Sequence, residues 1–191
     1  MRRVVSMAAV VLGVGLWVSS MSAGEAGRKD DPPKPAPSES QIVLAQWNDI
    51  GRKLIAMAED FPEDKYEFKT TPAQRSFAEQ LLHAASSMYF FTDPAEGKKA
   101  RYPEDPKRDD LKTKAQVVAF VKKCVEDGAA EIKTKGNKGM SDLVTDPESK
   151  QQMQVSDLAY GLIEHSGEHY GQLVVYYRLA GLVPPESRPK K

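Results

Sequence analysis

The chain has 191 residues, 27 of them basic and 27 acidic, for a formal net charge of zero. No basic stripe interrupts that balance, which argues against nucleic acid as a partner. A single cysteine, Cys124, excludes an intramolecular disulfide framework.

Arg2 and Arg3 precede an apolar run from Val4 to Val18, followed by the small-residue stretch Ser19-Ser20-Met21-Ser22-Ala23. This is the order of a secretory signal peptide, so residues 1–23 predict export to the periplasm or the exterior, with cleavage after Ser22 or Ala23. The run is shorter than the roughly 20 residues a spanning helix needs. An uncleaved signal anchor is the alternative, and it would be the only membrane contact. Lipidation at the cleavage site is excluded, because it needs a cysteine there. Residues 24–39 hold four prolines, charges of both signs and almost no apolar side chains. They cannot bury enough surface to offset their ordering entropy and are expected to form a disordered linker. One folded domain is expected over residues 40–187, with 188–191 as a tail.

In that domain, Val43, Trp47, Ile50, Leu54, Met57 and Phe61 alternate by three and four residues, the stripe of a bundle-facing helix that Pro62 closes. A second helix is expected over 73–91, with Phe77, Leu81, Ala84 and Met88 on one face and Asp93-Pro94 as its stop. The connection from Pro94 to Leu111, with Pro103 and Pro106, is long and charged, the character of a loop that rims a site. Thr113 and Gln116 form a capping box for a third helix, which runs to about Thr134, where Gly136, Asn137 and Gly139 end it. Cys124 follows the inward face of that helix with Val117, Val121 and Gly128, as a small buried hydrophobe would. The last helix is expected from a Ser156 N-cap to Ala180, stopped by Gly181 and Pro184-Pro185. No alternating strand pattern of useful length occurs. The fold class read from this is all-α, a four-helix bundle.

The chain has three histidines. His165 and His169 are one helical turn apart on the face that carries Leu158, Leu162, Leu173 and Tyr176, so both imidazoles point inward, their Cβ atoms about 5–6 Å apart. Two neutral imidazoles buried side by side each need partners, and a metal ion meets that need. Gln172 shares their face. Glu164 and Glu168 rotate toward solvent. Ser166 follows His165, so this is not the HExxH protease pattern. His83 projects among Glu79, Gln80, Ser87 and Phe90, off the main apolar stripe. Periodicity leaves it either lining a polar cleft or lying on the surface.

The segment Ser76-Phe77-Ala78-Glu79-Gln80-Leu81-Leu82-His83, and above all EHSGEHYGQLVVYYRLAGLVPP from Glu164 to Pro185, resembles the DinB family of damage-inducible, YfiT-like four-helix proteins. Its most specific part is H-x-x-x-H-x-G-Q in the last helix, with a histidine late in the second. Where members often have His-Arg-Gly-Gln, this chain has His169-Tyr170-Gly171-Gln172. The resemblance implies an up-up-down-down bundle. It also implies a three-histidine divalent metal site of His83, His165 and His169, the ion being zinc or nickel ahead of iron or manganese. Three protein ligands leave a position open, the layout of a catalytic site. A metal-dependent hydrolase or thiol S-transferase acting on a small molecule is the first expectation, with Gln172 or Tyr176 orienting the nucleophile. Export counts against the thiol version. The alternatives are a binding module without chemistry and a structural metal tying the second helix to the fourth. An exposed Tyr176 or Tyr177 would support a homodimer.

Overall fold

The computed structural model describes residues 34–146 and 149–189. The signal-like stretch and most of the linker lie outside the described residues. The first helix, α1 (Glu39–Asp60), buries Val43, Trp47, Ile50, Leu54 and Met57, the expected stripe. It is followed by α2 (Phe77–Ser86), α3 (Tyr89–Ala95), α4 (Lys114–Gly139) and α5 (Val155–Leu179). Two three-residue strands, β1 (Leu143–Thr145) and β2 (Gln152–Gln154), pair antiparallel between α4 and α5, with Leu143 opposite Gln154. This small hairpin carries no alternating apolar pattern, which is why the sequence does not announce it. Among the described residues, no helix is long and apolar enough to cross a membrane.

The second expected helix is two. It begins at Phe77, not near Ala73, because Ser76 caps it: Ser76 Oγ accepts from Glu79 N at 3.3 Å and Glu79 Oε2 accepts from Ser76 N at 2.6 Å. It breaks after Ser86, where Met88 N bonds back only three residues to Ala85 O and the Ser87 hydroxyl takes the His83 carbonyl at 2.7 Å. Pro94 lies inside α3 instead of ending it, and Gly97 at φ 74° follows one residue past the cap. The Thr113–Gln116 capping box of α4 forms as expected. Gly136, at φ 57° and ψ −171°, kinks that helix near the expected stop. The N-cap of α5 is Gln154 with Asp157, two residues before Ser156.

The helix directions correct the up-up-down-down expectation. Phe61 at the end of α1 stacks on Phe77 at the start of α2, centroids 3.7 Å apart, so the first connection returns at the same end of the bundle. Lys114 at the start of α4 donates to Phe61 O at 2.8 Å, while Trp47 near the start of α1 donates to Val125 O at 2.9 Å. Thus α4 also runs against α1. Tyr177 at the end of α5 donates to Met57 O at 3.0 Å, which sets α5 parallel to α1. The order is up, down, down, up, with the single crossover between α3 and α4. The charged connection 61–76 is long enough to suggest a crossover, but it folds back on itself through a Lys69–Ser76 bridge.

Tyr176 and Tyr177 are both buried, at 3% and 0% exposure, so neither supplies an exposed dimer contact. Each has a polar tip bonded to a neighbouring backbone carbonyl, Arg75 O and Met57 O. Cys124 is buried as expected, and burial pushes its thiol up to about 12, which keeps it unreactive.

The tightest joint is between α1 and α4. A Cβ on Gly128 would lie 1.9 Å from Trp47 Cζ2, and the indole is held in place by its bond to Val125 O. Gly128→Ala is expected to lower the unfolding free energy by about 1–3 kcal/mol, overpacking outweighing the helix preference of alanine. Gly171→Ala, which meets no atom within 4 Å, should instead stabilise by about 0.5–1 kcal/mol. Urea denaturation of both variants checks the pair, and a neutral Gly128→Ala would show that the indole can move aside.

Candidate metal centre

Antiparallel packing of α2 on α5 assembles the centre. Gln80 and His83 are one turn apart on α2, while His165, His169 and Gln172 follow at one-turn intervals on α5. The ring centroids lie 4.3 Å apart for His165 and His169, 4.6 Å for His83 and His169, and 5.5 Å for His83 and His165. One ring nitrogen from each histidine lies within 4.8 Å of the other two, and the three could hold a metal ion. His165 Nε2 and His169 Nε2 are 3.1 Å apart. A tetrahedral ion with bonds of about 2.0–2.1 Å places its ligand nitrogens about 3.3–3.4 Å apart, so the His165–His169 pair already stands near ligand spacing, and His83, within 4.8 Å, completes a donor set that could hold a divalent ion.

The polar surroundings fix the rings. Asp105, in the connection before α4, accepts from His83 Nδ1 at 2.8 Å; this leaves Nε2 of that ring unprotonated and free to ligate. Ser86 Oγ donates to the same carboxylate at 3.3 Å, and Arg75 Nη2 pairs with it at 3.3 Å. On the other side, His169 Nδ1 lies 3.0 Å from Gln172 Oε1 and 2.5 Å from Gln80 Nε2, and Gln80 donates to Gln172 Oε1 at 2.7 Å. Were His169 Nε2 to hold an ion, that ring's proton would stand on Nδ1, and the two amides would turn over together, so that Gln80 accepted from Nδ1 and Gln172 donated to Gln80.

His83 therefore lines a polar cleft, because the α2 face toward α5 is distinct from the apolar stripe it turns to the core and α4. Glu164 and Glu168 are exposed, as expected. Tyr176 commits its hydroxyl to Arg75 O and does not face the open side of the triad. Asp105 carries no periodicity to betray its role. The only signal for it was its place between Pro103 and Pro106 in a connection of site-rim character.

Residues 46–173 match the DinB superfamily. The chain belongs to that superfamily. Two solved DinB-like proteins share its fold. One, from Bacillus cereus ATCC 10987, is 17% identical with a TM-score of 0.62, the match covering 75% of this chain and 93% of that one. The other, from Bacillus subtilis, is 17% identical with a TM-score of 0.62, covering 78% and 99%. No curated protein matches the sequence significantly.

Two predictions follow from how this DinB-superfamily centre is built. Asp105→Asn keeps the shape of the side chain but weakens its hold on the His83 Nδ1 proton. It is expected to lower zinc affinity about 10–100-fold, measured by competition with a chromophoric chelator. Unchanged affinity would reduce the Asp105 contact to a surface ion pair.

The second concerns pH. Burial, reinforced by the charge of the neighbouring imidazoles, holds the pKa of His165 below the ordinary histidine value; burial does the same for His169. An unfolded chain, with histidines near about 6.5, binds more protons than the folded one in the window below that value. The stability contributed by these neutral rings is complete above about pH 6.5 and is lost as the pH falls through the folded values. The chelator-treated protein should therefore show a urea midpoint that drops between pH 7 and pH 5. A His165→Gln/His169→Gln double variant should drop less, and equal slopes would remove these rings as the cause.

Proposed function

We propose that this chain is an exported metal-dependent enzyme in which His83, His165 and His169 hold one divalent cation, zinc or nickel ahead of iron or manganese. The observation that carries this reading is the ligand count. Three imidazole donors converge, and among the described residues no fourth histidine, cysteine or carboxylate joins the cluster. A closed structural site needs four, whereas a catalytic one keeps a position for water or substrate. When bound, such a cation supplies a Lewis acid that lowers the pKa of a water or thiol nucleophile.

The chain's own residues supply the rest. Asp105 and the Gln80–Gln172 pair hold the imidazoles in fixed orientations. Gln172 is exposed beside the buried His169, so its amide can hydrogen-bond a nucleophile or a substrate at the mouth of the cleft. Next to His165 a cavity of about 430 Å³, walled by Phe90, Leu162 and the backbone at Gly161, offers room for the apolar part of a small substrate. Hydrolysis is favoured over thiol S-transfer, because the signal-like residues 1–23 point to a compartment poor in low-molecular-weight thiols.

The test begins with the mature chain from Gly24, purified without a histidine tag. We expect one equivalent of metal by elemental analysis, lost in His83→Ala and in His165→Ala. Hydrolysis of a panel of activated esters, amides and phosphoesters, run beside thiol-transfer assays, should identify a turnover that falls at least 100-fold in His169→Ala. Turnover that survives in that variant would sink the catalytic reading. Ligand-dependent stabilisation without product would mean a binding module, and unfolding on chelation with no exchangeable water would mean a structural ion.

A further inference from the structure

The connection between α3 and α4 and the segment before α2 enclose a second cavity, of about 550 Å³, on the outer side of Asp105. Four cationic side chains line it, Lys69, Arg75, Lys107 and Arg108, against three carboxylates, Glu79, Asp105 and Asp109. Near balance in number hides a difference in engagement: two of the three carboxylates are tied up, and only the Asp109 side chain has no hydrogen bond or ion pair among the described residues. Glu79 is turned to the helix cap, accepting from Ser76 N at 2.6 Å, with Lys69 Nζ at 3.8 Å. Asp105 is taken up by His83 and Ser86, with Arg75 at 3.3 Å. On the cationic side, the Lys107 ammonium has no hydrogen bond or ion pair among the described residues, its backbone carbonyl alone being engaged, by Asp110 N. Arg75 uses Nη2 alone, which leaves Nε and Nη1 of its guanidinium fork without a partner there. Arg108 donates Nε to Glu67 and Nη2 to Lys112 O, while its Nη1 is buried without a partner.

Arg75 also connects this cavity to the histidines. Its backbone carbonyl accepts from Tyr176 on α5, which fixes residue 75 against the helix that carries His165 and His169. Its side chain touches Asp105, the carboxylate that holds His83. An oxyanion seated on the free edge of Arg75 would therefore lie beside the triad, within the reach of one small molecule.

We propose that this cavity is an anion subsite of the same centre, in which Arg75 and Lys107 grip a carboxylate or phosphate group carried by the substrate. The guanidinium fork matches the two oxygens of such a group, and Lys107 adds a mobile point charge. The inference rests on the metal-enzyme reading for its meaning, but its binding test does not depend on turnover.

Inorganic sulfate is titrated into the full mature chain, zinc-loaded and chelator-treated, while the arginine Nε–H NMR signals are followed. We expect a saturable shift of the Arg75 signal, with affinity at least tenfold weaker in Lys107→Ala, the size of one lost charge-assisted contact. Arg75→Gln removes that signal, so saturation is read there from the backbone amides of residues 105 and 107–109 and should be abolished. Lys107 is exposed and its side chain makes no hydrogen bond or ion pair among the described residues, so Lys107→Ala serves as the variant expected to stay folded and keep its metal. Non-saturable shifts, or the same affinity in wild type and Lys107→Ala, would overturn the subsite. Succinate, used as a second probe, should bind more tightly to the zinc-loaded chain, since its far carboxylate can reach the ion. Equal binding to both forms would overturn the substrate-borne group in favour of a site for free oxyanions. Saturable sulfate binding in a chain that takes up no metal would instead defeat the enzyme reading and leave the subsite standing.

Discussion

The antiparallel register of α2 on α5 is the constraint on which the rest of the structure depends. Each step forward along one helix is matched by a step back along the other: Arg75 meets Tyr176, Gln80 meets Gln172 and His169, and His83 meets His169 and His165. A slip of one residue would turn the facing side chains by about 100° and dissolve the triad. The register is locked at one end of the bundle by large aromatic rings. Phe77 at the start of α2 stacks on Phe61 at 3.7 Å, and Tyr177 near the end of α5 meets Phe61 edge-on at 4.9 Å. Such pairs add about 0.5–1.5 kcal/mol each beyond their burial. The capping box at Ser76 then fixes where α2 begins, and so where one and two turns later Gln80 and His83 must stand.

What could be read from the sequence follows the range of the forces involved. The apolar stripe of α1, the Thr113–Gln116 cap and the inward pair on α5 are encoded within a turn or two, and they form where expected. Helix direction is not encoded locally. Whether residues 61–76 cross the bundle or return is decided by Phe61 meeting Phe77, a contact between side chains on different elements. The split of the second helix was legible in principle, because adjacent Ser86 and Ser87 hydroxyls compete for backbone carbonyls, but helical periodicity continues straight through it. His83 could not be placed from its own helix, since in a bundle each helix has two faces in contact with neighbours and only one of them here is apolar. It took the likeness of the last helix to a known family to direct it toward the pair.

The centre also shows why burial and polarity have to be arranged together. Gln80 is 2% exposed and His169 7%, so their polar atoms are cut off from water and must satisfy one another. They do so in a closed set with Gln172, in which the two glutamine amides can reverse sense by a half-turn about their terminal bonds. That gives His169 a partner whichever of its nitrogens carries the proton. Burial disfavours the imidazolium form and keeps the lone pairs available. A site with the same three histidines on the surface would titrate near the ordinary histidine value and compete with protons for its ion.

The up-down-down-up order has a consequence for where chemistry can vary. The connection from α3 to α4 must return the length of α3 and α2, about 28 Å at 1.5 Å per residue, and its residues 96–113 could span about 60 Å if extended. The slack is spent beside the histidines. Tyr102 packs on Tyr89, Asp105 turns in to His83, and Arg108 reaches Glu67 before Lys114 closes on Phe61. The imidazoles thus stand on rigid helices, while Asp105 and Lys107 come from a loop whose length the topology does not limit. Loops of this kind tolerate change that helices in a packed core cannot. A frame built in this way can keep one arrangement of histidines and alter what approaches it, so on the proposed enzymatic reading selectivity resides in residues 96–113 and in Arg75, not in the histidines themselves.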